Sequence, residues 1–254
     1  MTDGHPVRVD PHVKVIDEAV VERAKARGLD ALVYAPHFTR LPEIEATARR
    51  LSDDELTVLP AREVFTGRWR ARKHVLALGL DSPVPDFIGL EAAFEEFARQ
   101  EAVVLVPHPA FLTVSLDLAD VERFRDAIHG VETYNPKHWI VHNQRAQTIA
   151  RITGLPAFGS SYAHLPGTVG EVWTAFEGIE PSEAGVLEAL RSGAPRSVVH
   201  RDGAAHRLRR TLEFSHLFYE NSVTKFDRVV LSGTEATHPS QPPYGGRFTV
   251  AGGE

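Results

Sequence analysis

The chain has 254 residues, 43% of them hydrophobic, which is enough to bury a sizeable core in one α/β barrel or in two smaller domains. It contains no cysteine, so disulfides and thiolate zinc sites are excluded and a cytoplasmic location is the expectation. A net charge of −6 argues against a surface that coats nucleic acid, and we find neither a long apolar run nor an N-terminal signal pattern, so we expect no membrane span and no secretion.

Short apolar runs typical of buried strands alternate along the chain with amphipathic segments typical of helices. The predicted strands are Val7–Val9, Ala31–Tyr34, Thr57–Leu59, His74–Leu78, Val103–Val106, Gly130–Thr133 and Ala157–Gly159. The predicted helices are Asp17–Arg27, Leu41–Leu51, Leu90–Arg99, Leu118–Ile128, His142–Thr153 and Ser182–Arg191. This alternation indicates βαβ units and a parallel sheet, and six or seven units in about 200 residues favour a barrel over an open sheet.

The pattern changes after residue 203. A long helix is predicted over Ala204–Lys225 and a short strand over Phe226–Leu231, and the remaining tail is rich in Gly, Pro, Ser and Thr. We therefore expect a barrel domain over residues 1–203 and a C-terminal helical extension with a Gly/Pro-rich tail over residues 204–254.

Histidines and a glutamate recur at the C-terminal ends of the predicted strands. Five such residues stand at or just after a strand end: His12, His37, Glu63, His108 and His164. Because the carboxyl ends of parallel strands meet on one rim of a barrel, these side chains are expected to converge. Imidazole nitrogens and carboxylate oxygens suit Zn, Mn or Fe, so the pattern predicts a metal site at that rim. His74 begins a strand, and this reasoning does not include it.

Six segments resemble, in order and in spacing, the motifs of the PHP (polymerase and histidinol phosphatase) superfamily. They are VDPHVKV, GLDALVYAPH, AREVFT, HVLALG, VPHP and SSYAHLPGTVG, within residues 7–200. The resemblance implies a distorted (β/α)7 TIM-like barrel of the PHP type, with up to three divalent ions at the C-terminal rim and a metal-bound hydroxide that attacks a phosphoester. The ligands that it implies are His12, His37, Glu63, His74, His108 and His164, with Glu63 as the bridging carboxylate.

The sequence departs from these motifs at the first metal position. Lys14 replaces the second histidine of the opening motif, and Tyr162 replaces the aspartate before the last histidine. A protonated lysine has no lone pair and can act as a surrogate cation. We therefore hypothesise that Lys14 occupies the space of one metal ion, so that one or two ions remain where the family holds three. The predicted catalytic residues are Glu63, Lys14 and Tyr162.

The function that we favour from the sequence is metal-dependent hydrolysis of a small phosphorylated substrate, either a phosphomonoester or a nucleotide. The predicted substrate contacts are Arg68, Lys137 and His138. Three further arginines near Glu63 either neutralise phosphate or line a solvated loop: Arg62, Arg70 and Arg72.

Two other functions stay open. The loss of two ligands at the first site is also what a catalytically degraded barrel would show, acting as a binding or regulatory module. A nucleic-acid-directed phosphoesterase is the third function, because Arg207–Arg210 with Phe214, Phe218 and Tyr219 nearby forms a basic-aromatic stretch. An amphipathic helix that packs its aromatic side chains inward explains the same stretch. The oligomeric state does not follow from the sequence.

Overall fold

A computed structural model describes residues 5–111, 114–216 and 235–251, and in this part of the chain nine strands form one curved sheet. The strands are β1 (Val7–Val13), β2 (Ala31–Tyr34), β3 (Thr57–Thr66), β4 (Lys73–Leu78), β5 (Val103–Val106), β6 (Gly130–Tyr134), β7 (Ala157–Gly159), β8 (Val172–Phe176) and β9 (Arg196–His200). Their order is β7-β6-β5-β4-β3-β2-β1-β8-β9, and β9 also packs against β7. The sheet is therefore nearly closed into a barrel.

Six α-helices of the described residues lie at positions close to the predicted ones. They are α1 (Glu18–Ala26), α2 (Leu41–Leu51), α3 (Leu90–Arg99), α4 (Leu118–Arg123), α5 (Ile140–Thr153) and α6 (Glu183–Arg191). Asp17 begins α1 by accepting a hydrogen bond from the Val20 amide at 2.8 Å. The helix predicted to end at Ile128 is shorter, because the chain passes into a 3-10 turn at Arg125–Ala127.

The sheet is mixed, which corrects the expectation of a parallel one. The strands β1, β2 and β3 run parallel to one another, as do β5, β6 and β7. In contrast, β4 is antiparallel to both β3 and β5, and β8 is antiparallel to β1 and β9. A parallel crossover needs a dozen or more residues, whereas only residues 67–72 join β3 to β4, so these two strands form a hairpin.

Apolar side chains fill the inside of the barrel, on the face of the sheet opposite α1 to α5, and α6 packs against them. Interior residues of neighbouring strands pack together at zero or near-zero exposure: Val9, Val33, Leu59, Leu76, Leu105, Phe158 and Phe176. Two further clusters bury the outer face of the sheet, one beneath α3 to α5 and the other beneath α1 and α2. The interior of the barrel below the rim is therefore a packed core and not a pore.

Residues 204–216 form a further helix, called the C-terminal helix below. His206 on this helix lies 2.8 Å from Glu171 of the barrel, and the amide of Asp86 donates to the Thr237 carbonyl at 2.9 Å. Both described parts of the C-terminal extension thus pack on the barrel. The predicted strand Phe226–Leu231 and the helix predicted beyond residue 216 lie outside the described residues. Within the described residues, no helix combines the length and apolarity that a membrane crossing requires.

Candidate metal centre

Glu63 on β3 is fully buried at the rim, and its two carboxylate oxygens face different groups. Oε1 lies 3.1 Å from Nδ1 of His74 and 3.0 Å from Nε2 of His108. Oε2 contacts the ammonium group of Lys14 and lies 2.8 Å from Nε2 of His37. Nε2 of His12 is 3.7 Å from the same oxygen. Oε1 therefore faces the imidazoles of His74 and His108, and Oε2 faces the Lys14 ammonium group together with two further imidazoles.

The antiparallel direction of β4 explains how His74 joins this group. His74 is paired in register with Phe65 at the end of β3, so the beginning of β4 lies at the same rim as the ends of the parallel strands. The Phe65 and His74 rings stack 3.8 Å apart, which orients the imidazole. The strand-end reasoning assumed parallel strands, and for that reason it did not include His74.

Burial and the charge of Lys14 set the protonation of these groups. Desolvation lowers the pKa of His37 to about 3 and that of His74 to about 4, and Lys14 adds to the effect at His37. Burial alone would raise the pKa of Glu63, but the charge of Lys14 and the surrounding imidazoles hold it well below its usual value. The two imidazoles are neutral and the carboxylate is ionised at neutral pH, which are the forms that bind metal ions.

The side chains on the Oε1 side fit a divalent ion. Glu63, His74 and His108 each offer one ligand atom, and these atoms lie within 4.8 Å of one another. On this side, Nε2 of His74 is buried without a hydrogen-bond partner. Buried polar atoms are normally satisfied, so this nitrogen fits the role of a metal ligand. Two nitrogens and one oxygen suit Zn, Mn or Fe.

Tyr162 and His164 lie beside this group. The Tyr162 ring is 4.7 Å from the ring of His12, 5.2 Å from that of His108 and 4.8 Å from that of His164. The His164 ring is 5.7 Å from the His37 ring. The structure thus brings all six predicted ligands and both substituted positions to one rim, with Tyr162 packed between the histidines.

Two residues at the rim have left-handed backbone, with φ of 33° at His108 and 46° at Tyr162. Such angles are uncommon outside glycine and occur where neighbouring structure enforces them. The amide of His108 donates to the buried Glu132 at 2.7 Å, and the amide of Ser161 donates to the buried Asp10 at 2.9 Å. Burial raises the pKa of Asp10 to about 7. These carboxylates hold the two loops in place.

Glu213 of the C-terminal helix is a member of this region that the sequence did not indicate. Its Oε2 lies 3.0 Å from Nζ of the buried Lys137, and its Oε1 accepts hydrogen bonds from the amides of His164 and Leu165 at 3.0 and 2.9 Å. Lys137 also contacts Nδ1 of His164. No local motif marks Glu213, because it is one acidic residue of an amphipathic helix.

The predicted substrate contacts lie in different surroundings. Lys137 and His138 are buried next to the rim, and the His138 ring is 6.1 Å from that of His108. Arg68 is exposed in the loop between β3 and β4, outside the buried group around Glu63. Arg62 forms a buried ion pair with Asp86 at 2.9 Å, so its guanidinium is neutralised inside the protein and does not face a phosphate site.

Comparisons with known proteins agree with this fold. The family model described as PHP-associated matches residues 141–195. PsfC from Pseudomonas syringae PB-5123 superposes with a TM-score of 0.62 at 18% identity, covering 87% of this chain and 100% of PsfC. The lesion-specific endonuclease PfuEndoQ from Pyrococcus furiosus superposes with a TM-score of 0.57 at 16% identity, covering 76% of this chain and 57% of the endonuclease. An amidohydrolase from Chromobacterium violaceum, solved with bound sulfate and no metal, superposes with a TM-score of 0.51 at 16% identity, covering 76% of this chain and 97% of the amidohydrolase. A search of curated proteins finds no match.

The protein is an α/β barrel that carries a buried histidine–glutamate group at one rim. At such low identity, the superposed structures show a shared fold. The PHP-associated match over residues 141–195 agrees with the resemblance of the six motifs to the PHP superfamily.

Proposed function

We propose that this chain is a metal-dependent phosphoesterase-like hydrolase with a reduced metal complement. One divalent ion binds on the Oε1 side of Glu63, with His74 and His108 as the other ligands, and Lys14 takes the place of an ion on the Oε2 side. The observation that carries this proposal is that the Lys14 ammonium group lies on Oε2 of Glu63, whereas Oε1 faces the imidazoles of His74 and His108. The barrel is then a distorted (β/α)7 domain over residues 1–203, with residues 204–254 as its extension.

Lys14 and Tyr162 decide which of the other predicted ligands are used. The carboxylate oxygen nearest His12 already contacts Lys14, and Tyr162 provides no carboxylate there, so we expect no ion at that position. His37 and His164 lie close enough to hold a second, weaker ion. The complement is therefore one tight ion and at most one weak ion.

A bound ion would supply positive charge for the phosphoryl oxygens and acidify a water molecule. Lys14 keeps Glu63 ionised and adds a positive charge beside it. Lys137 brings a second ammonium group, 4.4 Å from the centre of the Tyr162 ring, while Lys14 lies 5.7 Å from that centre. Tyr162 packs over the histidines and excludes water from them. Each ammonium group is paired with a buried carboxylate, Glu63 or Glu213, so the charge of a bound ion would be what favours an anionic substrate.

The superposed proteins support a phosphoester as the substrate class. One of them is a lesion-specific endonuclease, and another was solved with sulfate, a tetrahedral anion. Either a small phosphomonoester or a nucleotide satisfies the charge of this rim. The Lys14–Glu63 contact also favours a second function, in which the barrel binds such a ligand without turning it over.

The test is hydrolysis of a phosphoester panel after reconstitution with Mn, Zn or Fe, together with elemental analysis. We expect turnover that depends on added metal and is lost in His108→Ala. The control variant is Arg50→Ala, a change on the exposed face of α2 that should leave turnover intact. Stoichiometric ligand binding that persists in His108→Ala, with no turnover under any metal, would establish the binding module instead.

A further inference from the structure

A groove of about 320 Å³ lies between the loop after β6 and the C-terminal helix. Its walls include Lys137, His138 and Trp139 on the barrel side and Arg207, Arg210 and Phe214 on the helix side. Lys137 and His138 also border the candidate metal centre, through contacts with His164 and His108. The groove thus adjoins the rim, and Lys137 and His138 lie between the two.

The polar lining of the groove is cationic. Arg207 and Arg210 are three residues apart on one helix and point to the same side, and Arg207 is exposed. Arg210 donates to the His138 carbonyl at 2.5 Å, which fixes its guanidinium at the groove wall. No carboxylate is among the described residues that line the groove. Two guanidinium groups without a facing carboxylate favour a phosphate, which they bind through paired hydrogen bonds.

Two aromatic side chains form the outer part of the groove. The Trp139 side chain is 62% exposed and that of Phe214 is 38% exposed, although both are large and apolar. Their ring centroids lie 6.2 Å apart, with an angle of 33° between the planes. Exposed aromatic side chains grouped beside cations are typical of surfaces on which bases stack. An acidic peptide would satisfy the arginines and would leave these rings uncovered.

We propose that this groove binds a nucleotide, with its phosphate on Arg207 and Arg210 and its base stacked on Trp139 and Phe214. The proposal rests on the proposed function, because it names the nucleotide as the substrate class of that same rim. The volume of the groove is at the lower end of small-molecule sites and suits one nucleotide. The net charge of −6 disfavours a long polyanion as the ligand.

The test is equilibrium binding of AMP, adenosine and ribose 5-phosphate to the full chain by calorimetry in the presence of a chelator, so that no turnover is needed. We expect AMP to bind about tenfold more tightly than either fragment, because base stacking and phosphate contacts both contribute. Trp139→Ala should weaken AMP about tenfold and leave ribose 5-phosphate unchanged. Arg207→Gln should weaken AMP and ribose 5-phosphate and leave adenosine unchanged.

Both substituted side chains are exposed, so these variants are expected to fold, and thermal melting checks that they do. Arg50→Ala is the control for loss of one positive charge elsewhere. Equal affinities for AMP and ribose 5-phosphate would overturn the base site, and AMP binding unchanged in both groove variants would overturn the groove. Oligothymidylate that binds far more tightly than AMP with a steep salt dependence would make the ligand a nucleic acid and also overturn the proposal. AMP binding that follows the expected pattern without any phosphoester turnover would refute the proposed hydrolase and leave the nucleotide site standing.

Discussion

Replacing Lys14 with Met tests whether this ammonium group stands in for a metal ion. The change keeps most of the side-chain length and removes the charge that faces Glu63. Both side chains are almost completely buried, so the carboxylate would be left uncompensated inside the barrel. Breaking a buried ion pair by removing one partner costs about 3–5 kcal/mol. For a domain of this size, that corresponds to a fall in Tm of about 6–10 °C in the presence of a chelator.

A bound ion changes the expectation. With Mn or Zn on the Oε1 side, a positive charge remains next to Glu63, so the variant should lose much less stability than it does in chelator. The measurement is Tm by scanning calorimetry for wild type and variant, with chelator and with saturating metal. We expect the metal-induced rise in Tm to be larger for Lys14→Met than for wild type.

The matched control is Lys25→Met, which removes an ammonium group from the exposed carboxylates of Glu22, Asp53 and Glu55. Exposed pairs contribute little to stability, so this variant should melt close to wild type under both conditions. The reasoning is refuted if Lys14→Met loses no more than Lys25→Met in chelator, or if its loss is the same with and without metal.

Three further outcomes follow from the structure. Elemental analysis of reconstituted protein should find one tightly bound ion per chain, lost in His74→Ala, and three tight ions would contradict the role of Lys14. Arg62→Met should lower the free energy of unfolding in urea by about 3–5 kcal/mol, because it leaves the Asp86 carboxylate buried without its ion-pair partner. Metal-ion affinity should stay unchanged, and a weaker affinity would show that Arg62 reaches the rim. Burial alone would raise the pKa of Glu171, but the hydrogen bond with His206 and nearby arginines hold it below the usual 4.5. The ionised Glu171 therefore stabilises the fold above pH 4.5, and this contribution is lost as the pH falls through the lower pKa that Glu171 has in the folded protein. Hydrogen exchange corrected for intrinsic rate should show the C-terminal helix losing protection there, and Glu171→Gln should remove this pH dependence; an unchanged profile in the variant would exclude Glu171 as the cause.

Much of the secondary structure and of the candidate site was accessible from the sequence. Seven of the strands and all six barrel helices follow from local periodicity and from helix-ending residues such as Gly28 and Gly154, because burial alternates along the chain with the period of each element. His12, His37 and His108 could be picked out because each is a polar residue at or shortly after the end of an apolar run. The strands β8 and β9 were not predicted. No residue of β9 is fully buried, so its sequence shows little of an apolar pattern, and β8 pairs with β9 and with β1.

Strand direction and side-chain partners were decided by the tertiary structure. The hairpin of β3 and β4 places His74 at the rim, and a linear pattern of apolar residues carries no information about strand direction. Lys137 and Glu213 form an ion pair although 76 residues separate them in sequence, because the C-terminal helix lies beside the rim only in the folded barrel. The sequence determined that Lys14 replaces a histidine. Only the folded barrel places its ammonium group on one oxygen of Glu63, with His74 and His108 on the other, because that division depends on four strands that meet in space.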